Sequence, residues 1–224
     1  MSTHTFNTQL PLWTFEFQSA SKVQILTRKE IEMKLIAKSF KDEGFKIRLV
    51  ENPRLVIEEL FHIEVSKEIF IKVLEETESL VYLVLPHNPY LGIPESEIKN
   101  ALGVGLEDVA AWVLGQQSEY FADDTRKNIS IITKSWRNQG FKNMLKKDPV
   151  AILEAEFGEK LGIGKDIQVL EETDKDVFLI IPYLSDSCLY ENEVDNQFIN
   201  KPIILGSFPT PGSTINVQTH CLSV

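Results

Sequence analysis

Val73-Leu74-Glu75-Glu76-Thr77 recurs residue for residue as Val169-Leu170-Glu171-Glu172-Thr173, and this pair of segments decides how the rest of the chain is read. The offset is 96 (169 − 73), and it holds on both sides of the match. Upstream, the ten residues from Ala37-Lys38-Ser39-Phe40 through Gly44-Phe45-Lys46 lie over Thr133-Lys134-Ser135-Trp136 through Gly140-Phe141-Lys142, and Asn52-Pro53 lies over Asp148-Pro149. Downstream, Val81-Tyr82-Leu83-Val84-Leu85-Pro86 lies over Val177-Phe178-Leu179-Ile180-Ile181-Pro182. Five identities in a row at constant register exceed what shared helix or strand propensity produces, so the sequence reads as an internal duplication.

Periodicity then orders the elements inside each unit. Lys29 to Val50 spaces Ile31, Leu35, Phe40, Phe45 and Leu49 four or five residues apart, which predicts an amphipathic helix broken near Gly44. Asn52-Pro53 and Asp148-Pro149 predict the start of a second helix, the polar residue as N-cap and proline at the first helical position. The β-branched runs Ile69–Leu74 and Leu80–Leu85 follow as strands, parted by the acidic turn Glu75 to Ser79. The expected fold class is α+β, with two homologous helix-helix-strand-strand units packed on each other or pairing their strands into a shared sheet, followed by a flexible C-terminal tail. The expected boundaries are an N-terminal extension over 1–28, units over 29–93 and 125–186, a helical spacer over 94–124, and a linker with tail over 187–224. In the spacer, Ile98, Leu102, Val109, Trp112 and Val113 form the predicted buried face, and Gly103-Val104-Gly105 the break. Leu12 to Gln18 alternates like an edge strand.

Composition narrows the functional classes. The chain has 224 residues, 43% hydrophobic and 25% charged, which suits an ordinary globular protein, and it lacks the long apolar run of a membrane span. Its 33 acidic and 23 basic side chains give a net charge of −10, which disfavours nucleic acid and anionic lipid. Cys188 and Cys221 are too few for a disulfide framework, so a cytoplasmic setting is expected, and no basic segment followed by an apolar one near Met1 suggests secretion. Beyond Lys201 the last 23 residues hold no Asp, Glu, Lys or Arg. At a quarter charged residues, a given window of that size arises roughly once in a thousand.

Catalytic constellations are thin. The histidines at 4, 62, 87 and 220 stand in separate contexts, none beside a Gly-flanked serine, and the adjacent His220-Cys221 offers only a weak case for a small hydrolase. Gly103-Val104-Gly105 lacks the third glycine of a dinucleotide fingerprint. The pairs Glu75-Glu76 and Glu171-Glu172 read as solvated turn residues rather than a carboxylate dyad, because neighbouring turn side chains diverge.

Taken together, Ser39-Phe40, Gly44-Phe45-Lys46, Asn52-Pro53, Glu75-Glu76-Thr77 and Leu85-Pro86, with Ser135-Trp136, Gly140-Phe141-Lys142, Asp148-Pro149, Glu171-Glu172-Thr173 and Ile181-Pro182, resemble the nitrile-hydratase-like leader peptides. These are the long, folded leaders of ribosomally made, post-translationally modified peptides of the proteusin type. The resemblance covers about residues 29–86 and 125–182, and the double copy departs from the single unit common in such leaders. It implies a nitrile hydratase alpha-subunit-like unit. The enzyme's Cys-x-x-Cys-Ser-Cys metal motif would follow the second strand, where this chain has Pro86-His87-Asn88-Pro89 and Pro182-Tyr183-Leu184-Ser185. Without clustered thiolates, neither a metal site nor hydratase activity is expected, and no cofactor is implied.

The resemblance also implies a role for the uncharged end. A maturation protease that cuts after small residues would act after Gly206 or Ser207, in Leu205-Gly206-Ser207. The candidates for modification are Ser207, Thr210, Ser213, Thr214, Thr219, Ser223 and Cys221, whose thiolate can add to a dehydrated hydroxyl residue. The expected function is therefore that of a precursor, not an enzyme. Its folded leader recruits peptide-modifying enzymes and a protease or exporter, with no nucleic-acid partner and no membrane insertion, and homo-oligomerisation stays open. The body would be cytoplasmic and the cleaved core exported. The alternative is a non-catalytic adaptor built from duplicated leader-like domains.

Overall fold

The computed structural model describes residues 14–19, 22–117, 123–161 and 164–183. An antiparallel hairpin, β1 (Thr14–Ser19) with β2 (Lys22–Thr27), leads directly into α1 (Arg28–Lys41). The single edge strand expected near the N-terminus is thus half of a pair. Then come α2 (Glu43–Glu51), α3 (Pro53–Phe61), β3 (Phe70–Glu75) and β4 (Leu80–Leu85). After α4 (Glu95–Leu102) and α5 (Leu106–Gln117), the order returns as α6 (Asp123–Arg137), α7 (Gln139–Lys147), α8 (Pro149–Phe157), β5 (Asp166–Glu171) and β6 (Asp176–Ile181). Mixed α+β architecture is therefore correct, and the spans of α2, α3, β3 and β4 recur as α7, α8, β5 and β6 at the offset of 96. No helix among the described residues is long and apolar enough to cross a membrane.

Each unit has three helices before its strands, where the sequence suggested two. The break falls at Asp42, not Gly44, because Asp42 leaves helical geometry and its carboxylate accepts the N–H of Phe45 at 2.9 Å. Asn138 does the same for Phe141 at 3.0 Å. This explains the glycine two residues after each cap. A Cβ on Gly44 would sit 3.3 Å from the Asp42 oxygen, and one on Gly140 would sit 3.1 Å from that of Asn138. The cap expected before each proline is realised once: Asp148 accepts the N–H of Ala151 at 3.2 Å, whereas the Asn52 side chain makes no capping bond. At the other ends, α3 and α8 stop at left-handed residues, His62 in the first unit and Gly158 in the second. Histidine there carries a steric cost that glycine avoids.

Strand pairing crosses between the units. β3 runs parallel to β6 with Phe70 opposite Asp176, and β4 runs parallel to β5 with Leu80 opposite Asp166, giving two separate two-stranded ladders. Parallel neighbours need a long connection, which the other unit and the spacer supply. The cores follow the ladders. In the first, Leu35, Phe45, Leu49, Val56, Ile57 and Val73 close over Leu179 and Ile181 from β6. In the second, Ile131, Phe141, Leu145, Leu153 and Ile167 close over Leu83 and Leu85 from β4.

The spacer packs on the second unit. Ile98, Leu106, Val109 and Val113 gather around Trp136, whose indole N–H donates to the Pro86 carbonyl at 2.9 Å. Arg137 from α6 bridges Glu95 of α4 and Glu107 of α5. Leu102 and Trp112, expected on the buried face, are 41% and 43% exposed. The break at Gly103-Val104-Gly105 turns α5 so that Val109 and Val113 face inward and Trp112 outward.

Candidate functional site

The repeated Val-Leu-Glu-Glu-Thr segment carries the densest cluster of carboxylates shared by the two units. Val73 points into the first core. Glu75 pairs with Lys46 at 3.2 Å, and its counterpart Glu171 pairs with Lys142 and, at 2.6 Å, with Lys146. Burial works against ionisation of Glu171, but the two ammonium groups prevail and hold its carboxyl below the usual range. The following glutamates are not solvated, contrary to the sequence reading. Glu76 is half-buried and accepts the N–H of Tyr82 at 3.2 Å; Glu172, 1% exposed, accepts that of Phe178 at 3.1 Å. Thr77 and Thr173 close the turns, their hydroxyls accepting N–H groups of Ser79 with Leu80 and of Lys175 with Asp176. The first glutamate of each motif thus ties its strand to a helix, α2 or α7, while the second glutamate and the threonine hold the strand-turn-strand connection.

Glu172 has a partner that Glu76 lacks. Arg28 sends its guanidinium to both carboxylate oxygens of Glu172, at 2.9 and 2.8 Å, and to the Phe178 carbonyl at 2.8 Å, while also bonding Glu32 one turn along α1. Burial opposes the charge on Arg28, yet the Glu32 and Glu172 carboxylates raise its pKa further still. Burial also raises the carboxyl of Glu32, against the pull of Arg28. In the first unit, Glu76 meets no guanidinium among the described residues, and burial raises its carboxyl pKa.

The place where a hydratase would hold its metal reads differently. Pro86 is buried, and the half-buried imidazole of His87 has its pKa lowered by burial, against the acidic field of Asp174, Glu172 and Glu171. No group of three metal-ligating side chains occurs among the described residues. A cavity between β4, α5, α6 and α8, lined by Leu83, Leu114, Asn128, Ile131 and Leu153 among others, measures about 10 Å³. At that size it holds one water at most.

On the outside the two units differ. Ile47, Val50 and Leu55 are 50%, 37% and 54% exposed on α2 and α3. The places 96 residues later hold Asn143, Lys146 and Ala151. Sequence comparison of the copies could have found this contrast, because it needs no structure beyond the shared register. The cleavage residues Gly206 and Ser207, and the modification candidates Ser207, Thr210, Ser213, Thr214, Thr219, Cys221 and Ser223, lie outside the described residues, as do Cys188 and His220. Comparison with protein-family models, with curated proteins and with solved structures finds no match to the chain.

Proposed function

We propose that the chain is the precursor of a ribosomally synthesised, post-translationally modified peptide, with residues 29–186 as a duplicated, nitrile hydratase alpha-subunit-like leader and 187–224 as linker and core. The recurrence of four consecutive element spans at one offset supports reading the two units as copies of one ancestor. The observation that carries the function is a division of labour in the sequence. The polar residues of the body's motifs are engaged within the body, whereas residues 202–224 contain all seven named hydroxyl and thiol candidates and no Asp, Glu, Lys or Arg. A leader that docks an enzyme raises the effective concentration of its tail at the active site, so a weak and sequence-tolerant catalyst can act repeatedly. The body is then substrate carrier, not catalyst, and works in the cytoplasm before an exporter releases the core.

The test is mass spectrometry of the chain coexpressed with its chromosomal neighbours. The precursor reading expects the loss of one water per dehydrated Ser or Thr beyond Leu205, or another defined mass change there, and a peptide released after Gly206 or Ser207. An unaltered C-terminus in the presence of active neighbours overturns it. The second reading, a non-catalytic adaptor, is favoured by the absence of a Gly-Gly pair at the junction and expects a stable complex with a partner and an unchanged mass.

A further inference from the structure

We infer that the two units are each other's binding partner, held together by exchanged strands and not by the chain that connects them. Neither core is closed by its own residues. Leu179 and Ile181, 3% and 2% exposed, belong to the second unit by sequence and to the first by burial; Leu83 and Leu85, 7% and 2% exposed, are placed the other way round. The exchange is reciprocal down to its terminal hydrogen bonds. Phe70 N–H donates to the Lys175 carbonyl at 2.7 Å and Asp166 N–H to that of Ser79 at 2.8 Å; Glu76 donates to Ile181 and Glu172 to Leu85, both at 2.9 Å. Each bond in one ladder has its equivalent, 96 residues away, in the other.

Separating the units would strip both cores of two aliphatic side chains and leave both ladders with unpaired backbone groups, a double loss that makes the contact self-sealing. Two ion pairs cross the same boundary, Arg28 with Glu172 and Lys72 with Asp176 at 3.1 Å. The connecting helices pack mainly on the second unit's side, α4 and α5 gathering with α6, although α5 also touches α1.

The experiment cuts the full-length chain. A site-specific protease sequence is inserted at the exposed Leu91-Gly92 turn, which leaves α4, α5 and α6 on one fragment, and the cleaved protein is passed through size-exclusion chromatography with mass detection. The fragments are expected to stay together as a 1:1 complex of the intact mass. In the cleaved background, Leu179→Ala on β6 is expected to raise the dissociation constant about tenfold or more, while Ile98→Ala in the spacer leaves the complex intact. Ile181→Val serves as a milder strand variant should Leu179→Ala fail to fold. Fragments that separate once cut, or that respond to Ile98→Ala and not to the strand variants, overturn the inference.

Discussion

Glu76 and Glu172 end equivalent strands and accept equivalent backbone N–H groups, yet only Glu172 meets a guanidinium. Truncating it leaves the buried Arg28 with Glu32 as its remaining carboxylate and the Phe178 N–H without its acceptor, so Glu172→Ala should cost about 3 kcal/mol, read from urea unfolding. Replacing both partners together, Arg28→Met with Glu172→Leu, should cost clearly less, since the desolvation penalty leaves with the charges. Glu76 has the opposite sign. Burial raises its folded pKa above the unfolded value, so the penalty on its ionised form is present above the folded pKa and vanishes as pH falls through it. Glu76→Gln keeps an acceptor for Tyr82 and should match or exceed the native stability at neutral pH, with the advantage gone by about pH 4. Equal effects of Glu76→Gln at both pH values would contradict this account. The identity of these two residues was plain in the sequence, but their burial was not, because adjacent turn residues face solvent unless a neighbouring strand's N–H draws one of them inward.

Helix boundaries show which local signals could be read and which could not. The X-Pro pairs marked the starts of α3 and α8 correctly, since proline fixes the first helical residue whatever its neighbours do. Asp42 and Asn138 were missed as caps because Gly44 and Gly140 look like helix breakers, when their role is to make room for the cap oxygen. Asp42→Ala should therefore cost about 1 kcal/mol, and Asn52→Ala close to nothing, compared by thermal unfolding. Between the copies, α2 and α3 differ from α7 and α8 mainly on the outside. Substituting Ile47→Asn, Val50→Lys and Leu55→Ala together installs residues the second unit carries at the same places, so stability should stay within about 1 kcal/mol of native. Under the precursor reading, the same triple variant should slow modification of the tail in coexpression, measured by the fraction of unmodified product. Undiminished modification would remove this face from the docking contact.

At the scale of the whole chain, repeat register was legible and strand partnership was not. The offset of 96 follows from identities in the sequence, but a strand pattern says only which side chains point to a core and not whose core it is. With Leu179 in one core and Leu83 in the other, the units should lose structure together. Urea unfolding followed by Trp136 fluorescence, with the other two tryptophans replaced by Phe, should coincide with far-ultraviolet circular dichroism in one transition, and two resolved midpoints would contradict it. The exchange also sets a timetable for the newborn chain. Leu85 is made 96 residues before Ile181 (181 − 85), so the first unit's helices must wait for that stretch before their own lid exists. At about 5–20 residues per second the delay lasts roughly 5–20 s, during which an apolar helical face stands open on the ribosome. The residues proposed for modification leave the ribosome only after that closing strand, so the maturing enzymes would meet a finished body before they meet their substrate.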